Sequence, residues 1–276
     1  MTLSAQGMEW ENGGWPAGHG LAVLDEIDST NAEARRRAEA GEAGPLWIRA
    51  GRQTAGRGRR GRSWVSESGN LMCTLMVRPG GTAAEAARLS FAAALAVREL
   101  LAAYLPGADI LLKWPNDVLL EGGKAAGILL ESAAARGGHL DWLVVGFGVN
   151  LAHAPDIPGQ RVTALADHLP HGGPPPSPDE ALGVLARAFG NWYERARLDF
   201  EAVRRAWLIH AKGVGEEIRI EAGGRILAGR FESIDADGAL VLVCPDGVRH
   251  TVPAGDVYFS GTAGPPVTEG DHAAGN

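Results

Sequence analysis

The chain has 276 residues, 45% of them hydrophobic and 21% charged, with a formal net charge of −7. That length suits a large catalytic domain and a small second one, and the apolar fraction supports a real core. An acidic balance argues against a dedicated duplex-binding protein, whose footprint is basic. The two cysteines, Cys73 and Cys244, allow one bridge at most and exclude a disulfide framework or a zinc-finger spacing. The opening "MTLSAQGMEWENGGWPAGHG" has no basic start and no apolar core, and no apolar run reaches membrane-spanning length. The chain therefore reads as a soluble cytoplasmic protein.

Residues 1–20 are Gly-rich and expected to be flexible. "LAVLDE" (21–26) suits a strand. "STNAEARRRAEAG" follows as a helix, with Thr30 and Glu33 at capping-box spacing and Gly41 where a C-terminal cap belongs. "PLWIRA" (45–50) is a second strand. Next comes "GRGRRGR" (56–62), four arginines between three glycines. Such a segment makes neither a core strand nor a stable helix, but its arginines can grip an anion. "NLMCTLMVRP" (70–79) is a strand, and residues 82–105 form an Ala/Leu-rich helix ended by Pro106-Gly107. Strands are expected at 109–114, 124–132 and 140–149, the last two joined by the turn "ARGGH". The Pro/Gly-rich stretch 154–178 reads as a surface connection. Ser177-Pro178-Asp179-Glu180 opens a helix running to about Ala196, and a shorter helix covers Asp199 to Ala211. After Gly213, five short β runs separated by "AGG", "ADG" and "PDG" suggest a small barrel, and 261–276 reads as a disordered tail. The fold class is α+β: a mixed-sheet domain with packed helices over 21–212, then a small β domain over 213–260.

Gly56 to Gly61 matches the G-x-G-x-x-G pattern of dinucleotide folds, yet no helical period follows to receive a pyrophosphate. Gly123-Lys124 lacks the first glycine and the Ser/Thr of a Walker loop. No nucleophile elbow, H-E-x-x-H or Cys-His cluster is present. A reaction is still open to a protein that only has to position substrates and neutralise charge. Lys113, in "LLKWP", is either a strand end reaching water or a lysine aimed at an anion by a stiff Trp-Pro turn. Asp28-Ser29-Thr30-Asn31 is a helix cap by default, although the same short side chains can bind a neutral polar ligand. Trp64 is either core or a shelter over a ligand.

The order "DSTN … RQTAGRGRRGRSW … GNLMCTLMVRP … KWPNDV … GKAAGILLES … VGFGVN" closely resembles the biotin–protein ligases, over roughly residues 21 to 260. The terminal β module is similar to that family's C-terminal, SH3-like domain. Many members carry an acidic residue where this chain has Gly51. Some begin with a DNA-binding winged helix; only 27 residues precede Asp28 here, so the resemblance implies a ligase without a DNA partner.

The resemblance implies ATP with Mg2+ as co-substrate and ion, and biotin as substrate. The biotin carboxylate attacks the α-phosphate, and a carrier-protein lysine then takes the acyl group from biotinyl-5′-AMP. The partner is the biotin carboxyl carrier domain of acetyl-CoA carboxylase; a homodimer is allowed and no membrane is involved. Lys113, Arg57 and Arg59 are the expected catalytic cations. Ser29, Thr30, Asn31, Gln53, Gly58, Gly127 and Asn150 join them in substrate binding, with Trp64 and Asn116 beside them. Ile128 and Leu129 are wall or core, Asp117 is a guess at a magnesium ligand, and the metal ligands stay unassigned. The 56–62 loop is expected to act as a mobile cationic lid. Two other readings stay open: a lipoate–protein ligase, and a non-enzymatic RNA-binding module using the arginine run.

Overall fold

The computed structural model describes residues 15–135 and 137–259. The expected tail, 261–276, and most of the expected flexible start lie outside them. The chain divides into two compact units, one reaching to Lys212 and including Ala236–Gly238, the other beginning at Gly213.

The first unit is built on β1 (Gly20–Ile27), α1 (Thr30–Glu39), β2 (Leu46–Gln53), β3 (Leu71–Val77), α2 (Ala83–Tyr104), β4 (Ile110–Lys113), β5 (Asp117–Leu120), β6 (Gly123–Ala134), β7 (Leu140–Val149), α3 (Pro178–Leu198) and α4 (Phe200–Ile209). Its seven strands run in the order β1-β2-β3-β7-β6-β5-β4. β1 and β2 are parallel because α1 carries the chain back between them; every other pair is antiparallel.

Strand alternation divides the residues of β7 between two faces. On one face Phe147 packs with Trp47 and Phe189 in edge and tilted contacts, giving a core closed by α3. On the other face Trp142 and Val144 join Leu46, Ile48 and Met76 under Ala34 and Ala38 of α1. Further along that second face β7 has only Gly146 and Gly148, and the apolar cover stops.

Most expected elements are present, with corrections. β5 was not foreseen. α1 is capped by Ser29, whose side chain accepts from Ala32 N–H, rather than by a Thr30–Glu33 box. Glu33 instead meets Arg36 and Arg37, and the Thr30 hydroxyl turns inward. The box expected at Ser177 and Glu180 is formed in full, with Pro178 in the first turn. Both cysteines are free, so the conceivable bridge is not made; burial pushes the Cys73 thiol far above its usual range.

The second unit is an antiparallel sheet of β8 (Glu217–Ala222), β9 (Arg225–Ile234), β10 (Leu240–Val243), β11 (Arg249–Val252) and β12 (Asp256–Phe259), ordered β11-β10-β9-β8-β12. Ile218, Ile220, Phe231, Leu240, Leu242 and Val257 are among its buried apolar residues. Among the described residues β11 and β12 end the order and do not pair with each other, so the hydrogen-bonded ladder is open and does not by itself show the small barrel expected. Among the described residues no helix is long and apolar enough to cross a membrane.

Candidate functional site

The arginine loop is stitched to the end of β1: Thr54 N–H donates to Ile27 O at 2.9 Å and Ala55 N–H to Asp28 O at 2.8 Å. It then folds into a narrow hairpin. Trp64 N–H donates to Gly56 O at 2.9 Å, Arg57 bridges Ser63, and Gly58 N–H donates to Arg62 O at 2.7 Å. Arg60 (φ 55°) and Gly61 (φ 73°) turn the tip. Gly56 is required here, because a Cβ would lie 2.5 Å from Trp64 O. The loop thus returns on itself and opens no helix of phosphate-binding length.

The hairpin's return delivers Trp64 onto the bare end of the sheet. Cross-strand register sets Lys113, Asp117, Gly127 and Gly148 in one row, on one face. A Cβ at Gly148 would overlap the Trp64 ring, and one at Gly127 would lie 3.0 Å from it. These glycines make a trough, and in this structure the Trp64 ring lies in it. Lys124 Nζ stands 5.6 Å over the ring and 2.8 Å from Asp117 Oδ1. Arg59 reaches the same corner, donating to Asn116 Oδ1 at 3.3 Å, while Asn116 Nδ2 donates to Ile128 O at 2.7 Å. Lys113 ends β4, half-buried, opposite Asp117 in the register. Lys113, Lys124 and Arg59 thus gather around Asp117 and Asn116, bringing three cationic side chains to this corner.

Beside the trough lies a polar group. Gln53 Oε1 accepts Thr30 N–H at 2.8 Å and lies 3.1 Å from Thr30 Oγ1, while Gln53 Nε2 donates to Ser66 Oγ at 2.8 Å. Gln53, Gly56, Trp64 and Ser66 line a cleft of about 570 Å³. Asn31 Nδ2 donates to Glu131 Oε2 at 2.8 Å and to Leu129 O at 3.2 Å. Both amide hydrogens of Asn31 are thus engaged within the protein. Asp28 anchors the start of α1: its carboxylate takes both Arg36 nitrogens at 2.8 Å and Ser29 N–H at 2.7 Å, and Arg36 above all holds it down at about 2.

Asn150 is 1% exposed. Its Nδ2 donates to Thr163 O at 3.1 Å and Lys124 O at 3.5 Å, and its Oδ1 is buried without a partner. Gly58 lies within the hairpin and Arg57 is exposed on it. Ile128 pairs with Phe147 and is core on the far face; Leu129 pairs with Gly146 on the trough's face. Gly51 lets β1 approach, since a Cβ there would sit 2.7 Å from Asp25 O. The structure therefore brings Ser29, Thr30, Asn31 and Gln53 together on one side, and Arg59, Lys113, Asn116, Gly127 and Trp64 on the other. Sequence reading missed Lys124. Its signal was a lysine between the Gly-Gly turn and the strand leading to Gly127, which was judged only as a failed Walker loop. A second cavity, of about 230 Å³, lies on the opposite face among Trp47, Phe189 and Tyr193, away from this cationic corner.

Comparison with known proteins places the chain in a family. Residues 23–150 match the Biotin/lipoate A/B protein ligase family, and residues 213–260 match the Biotin protein ligase C terminal domain. The chain is 47% identical over 245 residues to a biotin–[acetyl-CoA-carboxylase] ligase of Paracoccus denitrificans, covering 87% of this chain and 100% of that protein. The chain belongs to the biotin protein ligase family. A second such ligase, from Mycobacterium tuberculosis, is 34% identical over 254 residues, covering 86% of this chain and 88% of its own length. The biotin protein ligase of Aquifex aeolicus, solved with biotin and ATP, superposes with a TM-score of 0.70 at 27% identity, covering 87% of this chain and 97% of that one. In this ligase the matched segment 23–150 contains every expected site residue.

Proposed function

We infer that this chain is an ATP-dependent ligase that joins biotin to a lysine of a biotin carrier protein through biotinyl-5′-AMP. The observation that carries this is family membership at 47% identity over the whole length of a biotin–[acetyl-CoA-carboxylase] ligase. The lipoate alternative is disfavoured by the match to a biotin ligase C-terminal domain and by the polar group at Thr30 and Gln53, which a dithiolane does not need. Membership in an enzyme family also disfavours the RNA-binding module.

The first step brings a carboxylate onto a polyphosphate. Two unit charges about 4 Å apart repel by roughly 4 kcal/mol at an effective dielectric near 20. We assign Lys113, Lys124 and Arg59 to offsetting this repulsion, with Arg57 added from the hairpin. The assignment of Lys124 is supported by its Nζ lying 5.6 Å over the Trp64 ring and 2.8 Å from Asp117 Oδ1. Ser29, Thr30 and Gln53 are assigned to the ureido ring, Gly127 and Gly148 to the trough floor, Asn116 to holding Arg59, and Asn150 to the nucleotide. The hairpin, with Gly58 in it, is read as a lid that keeps water from the mixed anhydride, Trp64 being its inner face. Among the described residues no three His, Cys, Asp or Glu side chains gather as a metal cage, and Asp117 is engaged by Lys124. Mg2+ is therefore assigned to the substrate's phosphates, where it would neutralise charge. The second unit is read as the family's SH3-like module, the enzyme as cytoplasmic, and a second copy of the chain as its assembly partner.

The test is incubation with labelled biotin, MgATP and a biotin carrier domain. Label on the carrier lysine and biotin-dependent ATP–pyrophosphate exchange are expected; absence of both sinks the reading. Lys113→Ala and Lys124→Ala, compared in the exchange assay, should each lower the rate by on the order of 100-fold. Near-normal exchange in either variant removes that lysine from the adenylation step.

A further inference from the structure

We propose that Thr74, a fully buried residue of β3, is a specificity-determining positioning residue that fixes the direction of the Thr30 hydroxyl. The proposal rests on the reading of Thr30 as a contact to the cyclic urea of biotin.

The argument is one of proton counting. Asn31 lies above Gly146, where any Cβ would overlap its amide, and so it spans from β3 to β6 across a bare strand. Leu129 O is a backbone carbonyl and can only accept. The Asn31 group facing it, and with it Glu131 Oε2, is therefore its NH2. Asn31 Oδ1 consequently faces Thr74 Oγ1, at 2.7 Å. That oxygen has nothing to donate, so the Thr74 hydroxyl donates to it.

A threonine hydroxyl has one proton. Thr74 Oγ1 also lies 2.8 Å from Thr30 Oγ1, and with its own proton committed it can only accept there. The Thr30 proton thus goes to Thr74. Gln53 Oε1 accepts the Thr30 backbone N–H at 2.8 Å and offers the Thr30 hydroxyl a second, longer contact at 3.1 Å, which leaves the Gln53 NH2 facing Ser66 and the cleft. Towards a ligand, Thr30 Oγ1 offers lone pairs and no proton, and Gln53 offers a donor. A cyclic urea presents the complement, N–H groups flanking a carbonyl oxygen. Thr74, Thr30 and Asn31 are at most 5% exposed, so water does not scramble the order.

The experiment compares biotin with its analogue in which ring oxygen replaces one ureido N–H. Binding of each is measured by calorimetry to the full-length chain. The wild type should prefer biotin by on the order of 100-fold, since the analogue sets lone pair against lone pair. Thr74→Val removes the nearer acceptor for the Thr30 proton, leaves only the longer contact to Gln53 Oε1 to hold that hydroxyl, and should shrink the preference to about ten-fold or less. Thr74→Ser should keep it, and the KM for ATP should not move in either variant. Gly146→Ala, which pushes Asn31 away while leaving Thr74 in place, should act like Thr74→Val and serves if that variant does not fold. A preference unchanged in Thr74→Val or Gly146→Ala overturns the relay alone. Failure of the wild type to bind biotin removes the parent reading and this one with it.

Discussion

The two faces of β7 are built by opposite means. Leu143, Val145 and Phe147 fill one face, and the Trp47–Phe147–Phe189 contacts bind the strand to α3. On the other face Trp142 and Val144 lie under α1, but Gly146 and Gly148 leave the sheet bare, and Asn31 and Trp64 come down onto it. One strand thus contributes to stability through its large side chains and to the site through their absence. In "VVGFGVN" a single-residue alternation separates the two tasks.

The comparison can be broken most strongly on its packed side. Phe147→Ala should cost about 3–5 kcal/mol of stability by opening a cavity among aromatic rings. Urea titration would show this, while exchange activity per folded molecule stays near that of the wild type. The bare side should respond the other way. Gly148→Val places side-chain atoms where the Trp64 ring lies, and Trp64 sits half-buried on a hairpin that can give way. The urea midpoint should hardly change, whereas release of biotinyl-5′-AMP should quicken roughly ten-fold, a loss of about 1.4 kcal/mol. If both variants lower stability alike, the division of labour is wrong.

The smallest effect concerns pH and belongs to the packed face. Trp47 Nε1 donates to His19 Nδ1 at 3.2 Å, and burial lowers the His19 pKa below its usual 6.5. A depressed folded-state value means that the unfolded chain binds the proton more readily. Stability should be intact above about pH 6.5 and fall as the pH drops below it, by a fraction of the total. His19→Gln should flatten the slope between pH 7.5 and 5.5 in thermal melts. An undiminished slope in that variant assigns the effect to another group.

The secondary structure was largely legible because its signals are local. Residues 82–105 carry helical spacing, a capping Thr82 and a terminating Pro-Gly, and α2 runs from Ala83 to Tyr104. "NLMCTLMVRP" is bounded by turn residues and became β3. The dinucleotide match was rightly set aside, because 56–64 closes as a hairpin. β5 escaped because four residues between two turns carry too little periodicity to register. The Thr30–Glu33 box failed for a tertiary reason: Gln53 and Thr74, distant in sequence, hold the Thr30 side chain inward and leave Ser29 to cap. Lys124 escaped because its pairing with Asp117 and its place over Trp64 arise only when β5 and β6 meet the hairpin.

The sequence by itself carried the family signature: the arginine-glycine turn and "KWPNDV", in that order, resemble the biotin–protein ligases, and that resemblance implies charge neutralisation around an activated carboxylate. Tertiary structure alone decided which cation stands over the trough and which way each buried hydroxyl points. Charge and flexibility are written into residue types, whereas the direction of a proton depends on every acceptor within reach. Those acceptors are gathered from α1, β2, β3 and β6 only once the sheet has formed.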